Sequence, residues 1–173
     1  SIRSGMVLID QNHAHQRILY EEYLERVTVE GVGHQKLLFP LKVRLSKDEV
    51  NTLKELKADL DSAGFVISDS KEDEILLDAI PLNMAESQVR QILEDLVNSI
   101  ENEVPESNLS QIDTIAKSLA KSLAIKPGTR LKSKEQESLV DKLFSCKEPN
   151  YSPFGKKTFI TISMEDLEER FNT

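Results

Sequence analysis

The chain lacks most of what would let one motif declare a chemistry. It has a single cysteine, Cys146, among 173 residues. That excludes an intramolecular disulfide framework and a thiolate zinc cluster, and fits a reducing cytoplasm. The six glycines are scattered, so no glycine-rich phosphate loop forms, and Gly155-Lys156-Lys157 stands outside any nucleotide-binding context. No apolar run approaches the roughly 20 residues needed to cross a bilayer, so no membrane partner is expected. Ser1-Ile2-Arg3-Ser4-Gly5 does not read as a secretory signal. Basic residues are also in deficit, 22 against 30 acidic, for a formal charge of -8. Such a balance opposes loose attraction to a phosphate backbone, so any nucleic-acid contact must be local or come from a partner. The length suits one domain or two small lobes that fold by packing alone.

What is present divides into short, well-punctuated elements. Met6 to Ile9 reads as a buried strand and Ala14 to Arg26 as a helix with Ile18, Leu19 and Leu24 apolar. After the loop Val32-Gly33-His34, Leu37 to Leu45 reads as a strand interrupted by Pro40, which cannot donate to a ladder and so marks an edge or a bulge. Ser46-Lys47-Asp48-Glu49 is a capping box, followed by Val50, Leu53, Leu56, Leu60 and Ala63 at helical spacing until Gly64. Phe65 to Ser68 and Glu74 to Ile80 flank a polar turn as a hairpin, and Val89 to Ile100 carries a second amphipathic helix. Residues 35–102 therefore form a strand-helix-strand-strand-helix unit with its own core.

Residues 101–110, polar with Pro105, read as a return linker. The next helix, about Leu109 to Ile125, mixes Ala116, Ser118, Ala120, Ser122 and Ala124 with larger apolar residues, and its small side chains permit close approach. Pro127-Gly128 stops it. Ser133-Lys134-Glu135-Gln136 opens another helix with Leu139, Val140, Leu143 and Phe144 inward, and Thr158 to Ser163 is a last strand before a capped helix from Ser163 to Phe171. The expected class is α+β with two lobes, the second inserted in the first.

The chemistry-bearing residues gather where the first strand meets its helix, in Asp10-Gln11-Asn12-His13-Ala14-His15-Gln16. His13 and His15, with Asp10, Glu21 and Glu22 near in sequence, could build a hydrolytic metal site. Helical residues two apart face different directions, so solvated or structural histidines are the competing interpretation. His34 is a lone loop histidine. Cys146 beside Lys147 could stabilise a thiolate, or be a small buried hydrophobe.

Val7-Leu8-Ile9-Asp10-Gln11-Asn12-His13-Ala14-His15-Gln16-Arg17-Ile18-Leu19-Tyr20-Glu21, Gln35-Lys36-Leu37-Leu38-Phe39-Pro40, Ile125-Lys126-Pro127-Gly128, Cys146-Lys147-Glu148-Pro149 and Ser152-Pro153-Phe154-Gly155-Lys156-Lys157-Thr158 occur in an order that resembles the C-terminal dimerisation domain of the DNA mismatch repair protein MutL. The resemblance covers nearly the whole chain. It implies a dimerisation lobe, residues 1–33 and 106–173, interrupted by an external lobe at 34–105. It also implies that strands of the family precede Val7-Leu8-Ile9, so sheet pairing there should look incomplete.

Nuclease-bearing members of the family carry Asp-Gln-His-Ala, two residues, Glu, four residues, Glu. Here Asp10, Gln11 and Glu21 match, while Asn12 and Gln16 stand where the metal-binding His and Glu are expected. The family's Ala-Cys-Arg falls near Ala120-Lys121-Ser122, and its Cys-Pro-His-Gly-Arg-Pro appears as Ser152-Pro153-Phe154-Gly155-Lys156-Lys157. Asn and Gln bring no ligand charge, and a phenyl ring cannot coordinate a metal. The resemblance thus implies a non-endonuclease member with no cofactor in this region and Asp10 as a remnant position. The alternative is a nicking endonuclease with an atypical ligand set of Asp10, His13, His15 and Glu21.

Gln35, Leu38 and Pro40 match the family's peptide for the DNA polymerase sliding clamp, in which glutamine enters a polar subsite and the apolar residues fill a groove. The partners implied are a second copy of the chain, the sliding clamp, other mismatch repair proteins, and DNA through a full-length dimer carrying an N-terminal ATPase. The location implied is the bacterial cytoplasm, associated with the nucleoid during repair.

Overall fold

The computed structural model describes residues 5–29, 33–82, 84–102 and 111–172. The chain is α+β and divides into two compact units, one made of residues 1–21 and 124–173, the other of residues 22–123.

In the first unit, strand β1 (Gly5–Ile9) pairs antiparallel with β5 (Phe159–Ser163) as a two-stranded sheet. The polypeptide turns at Asp10 directly into helix α1 (Gln11–Val29), whose first residues belong to this unit. Helices α6 (Ser133–Ser145) and α7 (Met164–Asn172) complete it. Its core is small: Ala14, Ile18, Leu139 and Leu143 are buried, with Ile9, Ile125, Leu131, Cys146 and Phe159 packed around them. Cys146 is half-buried among these apolar groups, as a small hydrophobe would be. Helix α6 opens at Ser133, as expected, with its cap on the residue before. The Glu135 carboxylate accepts the Lys132 N–H at 2.6 Å, so Lys132 is the cap residue and Ser133 lies inside the first turn.

The second unit is built on a three-stranded antiparallel sheet in the order β2-β4-β3. Its strands are β2 (His34–Arg44), β3 (Val66–Ser70) and β4 (Glu74–Pro81), and its helices α2 (Lys47–Glu55), α3 (Lys57–Ser62), α4 (Glu86–Asn102) and α5 (Gln111–Leu123). The expected box starts α2: Glu49 N–H donates to the Ser46 hydroxyl at 3.3 Å, and the Glu49 carboxylate accepts the Ser46 N–H at 2.6 Å. The apolar run after it is two helices rather than one. Leu56 (φ -89, ψ 9) leaves α geometry for one residue, while its N–H still bonds the Thr52 carbonyl. The end at Gly64 is a Schellman motif. Phe65 N–H reaches Leu60 O at 2.8 Å, Gly64 N–H reaches Asp61 O at 3.0 Å, and Gly64 takes φ +88, a value that other residues adopt with strain. Leu60 and Phe65, both fully buried, make the apolar contact that accompanies such a cap.

Helix α5 packs into this unit, with Ile115 and Leu119 in the same core as Leu53, Phe65, Leu77 and Leu93. The compact units therefore part at 21/22 and 123/124, where the expected lobe borders were 33/34 and 105/106. Of the expected linker, 103–110 lies outside the described residues, as does Val32.

Two stability predictions follow from this packing. Phe65→Ala should lower the urea unfolding free energy by about 3–5 kcal/mol, because removing a fully buried ring leaves a cavity in the core. Phe39→Ala, at a site 78% exposed, should change it by less than about 0.5 kcal/mol. The start of α7 has a pH signature. Ser163 donates from its hydroxyl and N–H to the Asp166 carboxylate, which holds that carboxyl below its usual range, with Arg170 adding to the effect. A depressed folded value stabilises above the unfolded pKa and is lost as pH falls through the folded one. Helical signal from α7, followed by NMR, should thus decline below about pH 4, and Ser163→Ala should weaken that dependence.

Candidate functional site

Asp10 is the residue on which the first candidate site turns. Its Oδ1 accepts the backbone N–H groups of Asn12 and His13, each at 3.0 Å, and its own carbonyl accepts Ala14 N–H. This is an N-cap, which explains why α1 starts at Gln11 rather than at Ala14. The Asp10 Oδ2 lies 3.5 Å from His13 Nδ1, and that nitrogen donates to the Lys157 carbonyl at 3.1 Å. The structure therefore brings Asp10 and His13 together.

The next side chains turn away from this pair. His15 Nδ1 accepts Ile125 N–H at 2.9 Å, so its other ring nitrogen carries the proton of the neutral form. Asn12 donates to Ile125 O at 2.7 Å and receives Gln16 Nε2 at 2.9 Å. Gln16 is buried, 8% exposed. Gln11 closes the group by donating to the Thr129 carbonyl at 2.7 Å. Asn12 and Gln16, the two positions where the resemblance places ligands in nuclease-bearing members, thus form an amide relay that fastens α1 to the loop at 125–129.

Glu21 is occupied elsewhere. Its carboxylate accepts Lys147 N–H at 2.6 Å and Glu148 N–H at 3.1 Å, and Arg17 lies 3.4 Å from it. Arg17 itself is 6% exposed; it donates to Tyr151 O at 2.6 Å and reaches the Glu148 carboxylate at 3.4 Å. Among the described residues no group of three or more His, Cys, Asp or Glu side chains converges on a point where a metal could sit. Ser152, 1% exposed, accepts the N–H groups of Phe154 and Lys156 at 3.3 Å each and so rigidifies its own turn, while Phe154 is half-exposed. Ala120-Lys121-Ser122 lies in α5 of the other unit. His34 begins β2 and is exposed.

The second candidate is a bulge in β2. Pairing with β4 runs through Lys36↔Ala79 and resumes at Leu41↔Leu77, so Leu37 to Pro40 stand opposite the single residue Asp78. β2 is an edge strand of its sheet, and the proline fits because nothing asks it to donate. The extra length throws Leu38 and Phe39 outward, 89% and 78% exposed. Adjacent strand residues ordinarily face opposite sides; here both face water. Gln35 behaves differently, since its Nε2 donates to the Met84 carbonyl at 2.7 Å and it is half-buried.

Both sites lie in a chain of which residues 2–131 match the model of the MutL C terminal dimerisation domain. The chain belongs to that family. It is 48% identical over 170 residues to the DNA mismatch repair protein MutL of Flavobacterium johnsoniae, an alignment covering 98% of this chain and 26% of that protein. It is 34% identical over 170 residues to the MutL of Chloroherpeton thalassium, covering 98% and 27%, and 33% identical over 171 residues to that of Parabacteroides distasonis, covering 99% and 28%. The chain thus spans about a quarter of the length of the curated relatives it matches. No helix of the described residues is long and apolar enough to cross a membrane.

Within the MutL family frame, sequence reasoning overlooked Arg17 and Phe39. The i,i+4 spacing of Arg17 and Glu21 was a signal for an ion pair, but its burial comes from segments more than a hundred residues away. Asp10→Ala should cost about 1 kcal/mol in urea denaturation and Asp10→Asn much less, because asparagine caps nearly as well. Arg17→Ala should cost about 3 kcal/mol, since Glu21 then loses the cation beside it. An Asp10→Ala variant as stable as the parent would show that the cap contributes nothing.

Proposed function

We propose that this chain is a homodimerising and protein-docking region of a mismatch repair protein, and that it does not itself cut DNA. The observation that carries the dimer is the β1–β5 ribbon. Met6 stands opposite Ile162 and Leu8 opposite Ile160, so these side chains share one face, and Met6, Leu8 and Ile160 are 40%, 45% and 46% exposed. An apolar ribbon face whose outer edges pair with no other strand among the described residues is a surface that another copy can cover. By family resemblance, the Ala/Ser-rich helix and the terminal segment are further candidate pairing surfaces. In α5, Ala116, Ser118 and Ala120 are already buried within the chain, so the ribbon and α7 carry more of the pairing in this reading. Residues 1–33 and 106–173 remain the proposed dimerisation lobe and 34–105 the external lobe.

Sedimentation equilibrium at micromolar concentration should return about twice the 19.6 kDa chain mass. Leu8→Asp with Ile160→Asp should return the monomer with unchanged circular dichroism. A parent protein that stays monomeric throughout would contradict the reading.

The absence of cutting is supported by what the α1 residues are engaged in. An amide pair at Asn12 and Gln16 supplies no charge to hold a divalent ion, and Asp10 is committed to the helix cap. The rival ligand set of Asp10, His13, His15 and Glu21 would need His15 to abandon Ile125 and Glu21 to abandon Lys147.

Docking to a sliding clamp through Gln35, Leu38 and Pro40 belongs to the same reading. It is supported by the outward bulge, with Phe39 adding a further apolar side chain beside Leu38. Gln35 must exchange its bond to Met84 for one to the clamp, so Leu38 is the larger contributor. Replacing Gln35 and Leu38 with alanine should weaken clamp binding by about 2 kcal/mol or more, measured by surface plasmon resonance, while the sedimentation mass stays that of the parent. Unchanged affinity would reduce the hexapeptide to an ordinary edge strand. The remaining partners proposed are other mismatch repair proteins, an N-terminal ATPase in the same polypeptide, and DNA held by the full-length dimer in the bacterial cytoplasm.

A further inference from the structure

The first unit holds a recess of about 300 Å³ between the start of α1 and helix α6. His15 and Ile18 line it from α1, and Ile125 from the segment that follows α5. Ile18 is 2% exposed and Leu139 of α6 8% exposed, so with the half-buried Ile125 they give it an apolar floor. Its size is at the lower end of that of small-molecule sites, which are concave, mostly apolar and carry a few placed polar groups.

Helix α6 supplies the polar groups. Lys134, Ser138 and Lys142 follow one another at intervals of four residues, a spacing that stacks side chains on one helical face, and all three are exposed at the recess. Glu135 lies beside them, its carboxylate accepting the Lys132 N–H at 2.6 Å. His15 is neutral in the form that accepts Ile125 N–H, so two lysines less one glutamate leave the lining with a charge of +1. That balance suits a single negative charge. A dianion would meet the Glu135 carboxylate as well as the lysines.

We propose that this recess binds an organic monoanion, a compact apolar body that ends in a carboxylate. The body lies on Ile18, Ile125 and Leu139, and the carboxylate meets Lys134, Lys142 and the Ser138 hydroxyl. Exposed lysines alone gain little from an anion in water. The apolar floor beside them adds the burial that a solvated cationic face lacks. An occupant would brace α1 against α6 next to the bond from Ile125 N–H to His15. A free small acid and the C-terminal residue of a peptide share this chemistry. The inference is independent of the dimer and clamp readings, since neither the β1–β5 ribbon nor Gln35, Leu38 and Pro40 line the recess.

The test is proton–nitrogen correlation NMR of the whole chain, titrated with sodium 4-phenylbutyrate at constant ionic strength. Saturable shifts should centre on Ile125 and residues 134–142, with a dissociation constant of about 2 mM, as a ligand of this size allows. 4-Phenylbutanol, the same body without the charge, and inorganic phosphate, a charge without the body, should each bind about tenfold more weakly or worse. Acetyl-glycyl-phenylalanine with a free carboxylate should shift the same amides; tighter binding than 4-phenylbutyrate supports a peptide end as the source, weaker binding a free acid. Lys134→Glu with Lys142→Glu should weaken 4-phenylbutyrate binding about tenfold or more. Lys54→Glu with Lys57→Glu, the same charge change on the other unit, should alter it by less than twofold, with circular dichroism unchanged in both. Ser138→Trp, which puts a ring over the recess, should abolish saturation. The proposal is overturned if no saturable shift appears by 20 mM, if the alcohol binds as well as the acid, if the shifts centre outside the lining, or if the variant at Lys134 and Lys142 binds like the parent.

Discussion

The first three turns of α1 are held by polar contacts that reach more than a hundred residues along the chain. Gln11, Asn12 and His15 fasten it to 125–129, His13 to Lys157, Arg17 to Tyr151, and Glu21 to Lys147 and Glu148. Among the described residues, the apolar core beside them buries Ala14, Ile18, Leu139 and Leu143, so packing alone specifies little about where these segments lie. Each hydrogen bond adds about 1 kcal/mol net, yet leaving any of the buried groups unpaired would cost more than making the bond gains. That asymmetry gives the polar contacts their hold on the arrangement.

The same constraint explains the residue types. A carboxylate at position 16, 8% exposed, would have to find a cation or take up a proton, because burying an unpaired charge costs several kcal/mol. A metal supplies that cation in an endonuclease site. A neutral glutamine handing its amide to Asn12, which hands its own to Ile125 O, satisfies the same interior without one. Ser152 likewise ties down its own turn, where its hydroxyl accepts the N–H groups of Phe154 and Lys156. Asn12, Gln16 and Ser152 thus hold structural positions.

Much of this was legible in the sequence, and the part that was not has a common cause. The Ser46 capping box, the stop at Gly64, the 66–81 hairpin and the disturbance at Pro40 all depend on neighbours within a few residues, and each occurs near its expected place. Local signals misplaced the α1 start, where the periodicity of apolar residues concealed a cap at Asp10. The small residues of α5 suggested close approach without saying to what, and Ile115 and Leu119 join the core of residues 22–123. At the candidate site, composition showed which ligands were missing. It could not show that His15 accepts from Ile125 or that Arg17 is buried, because those partners come from distant segments.

The most direct measurement of the central claim, that this helix start is a structural junction and not a metal centre, combines metal content with nicking. The purified protein, dialysed against zinc and then assayed with manganese and supercoiled plasmid, should retain no stoichiometric zinc and leave the plasmid closed. Manganese-dependent nicking that disappears on Asp10→Asn, a change that keeps the helix cap, would contradict the account.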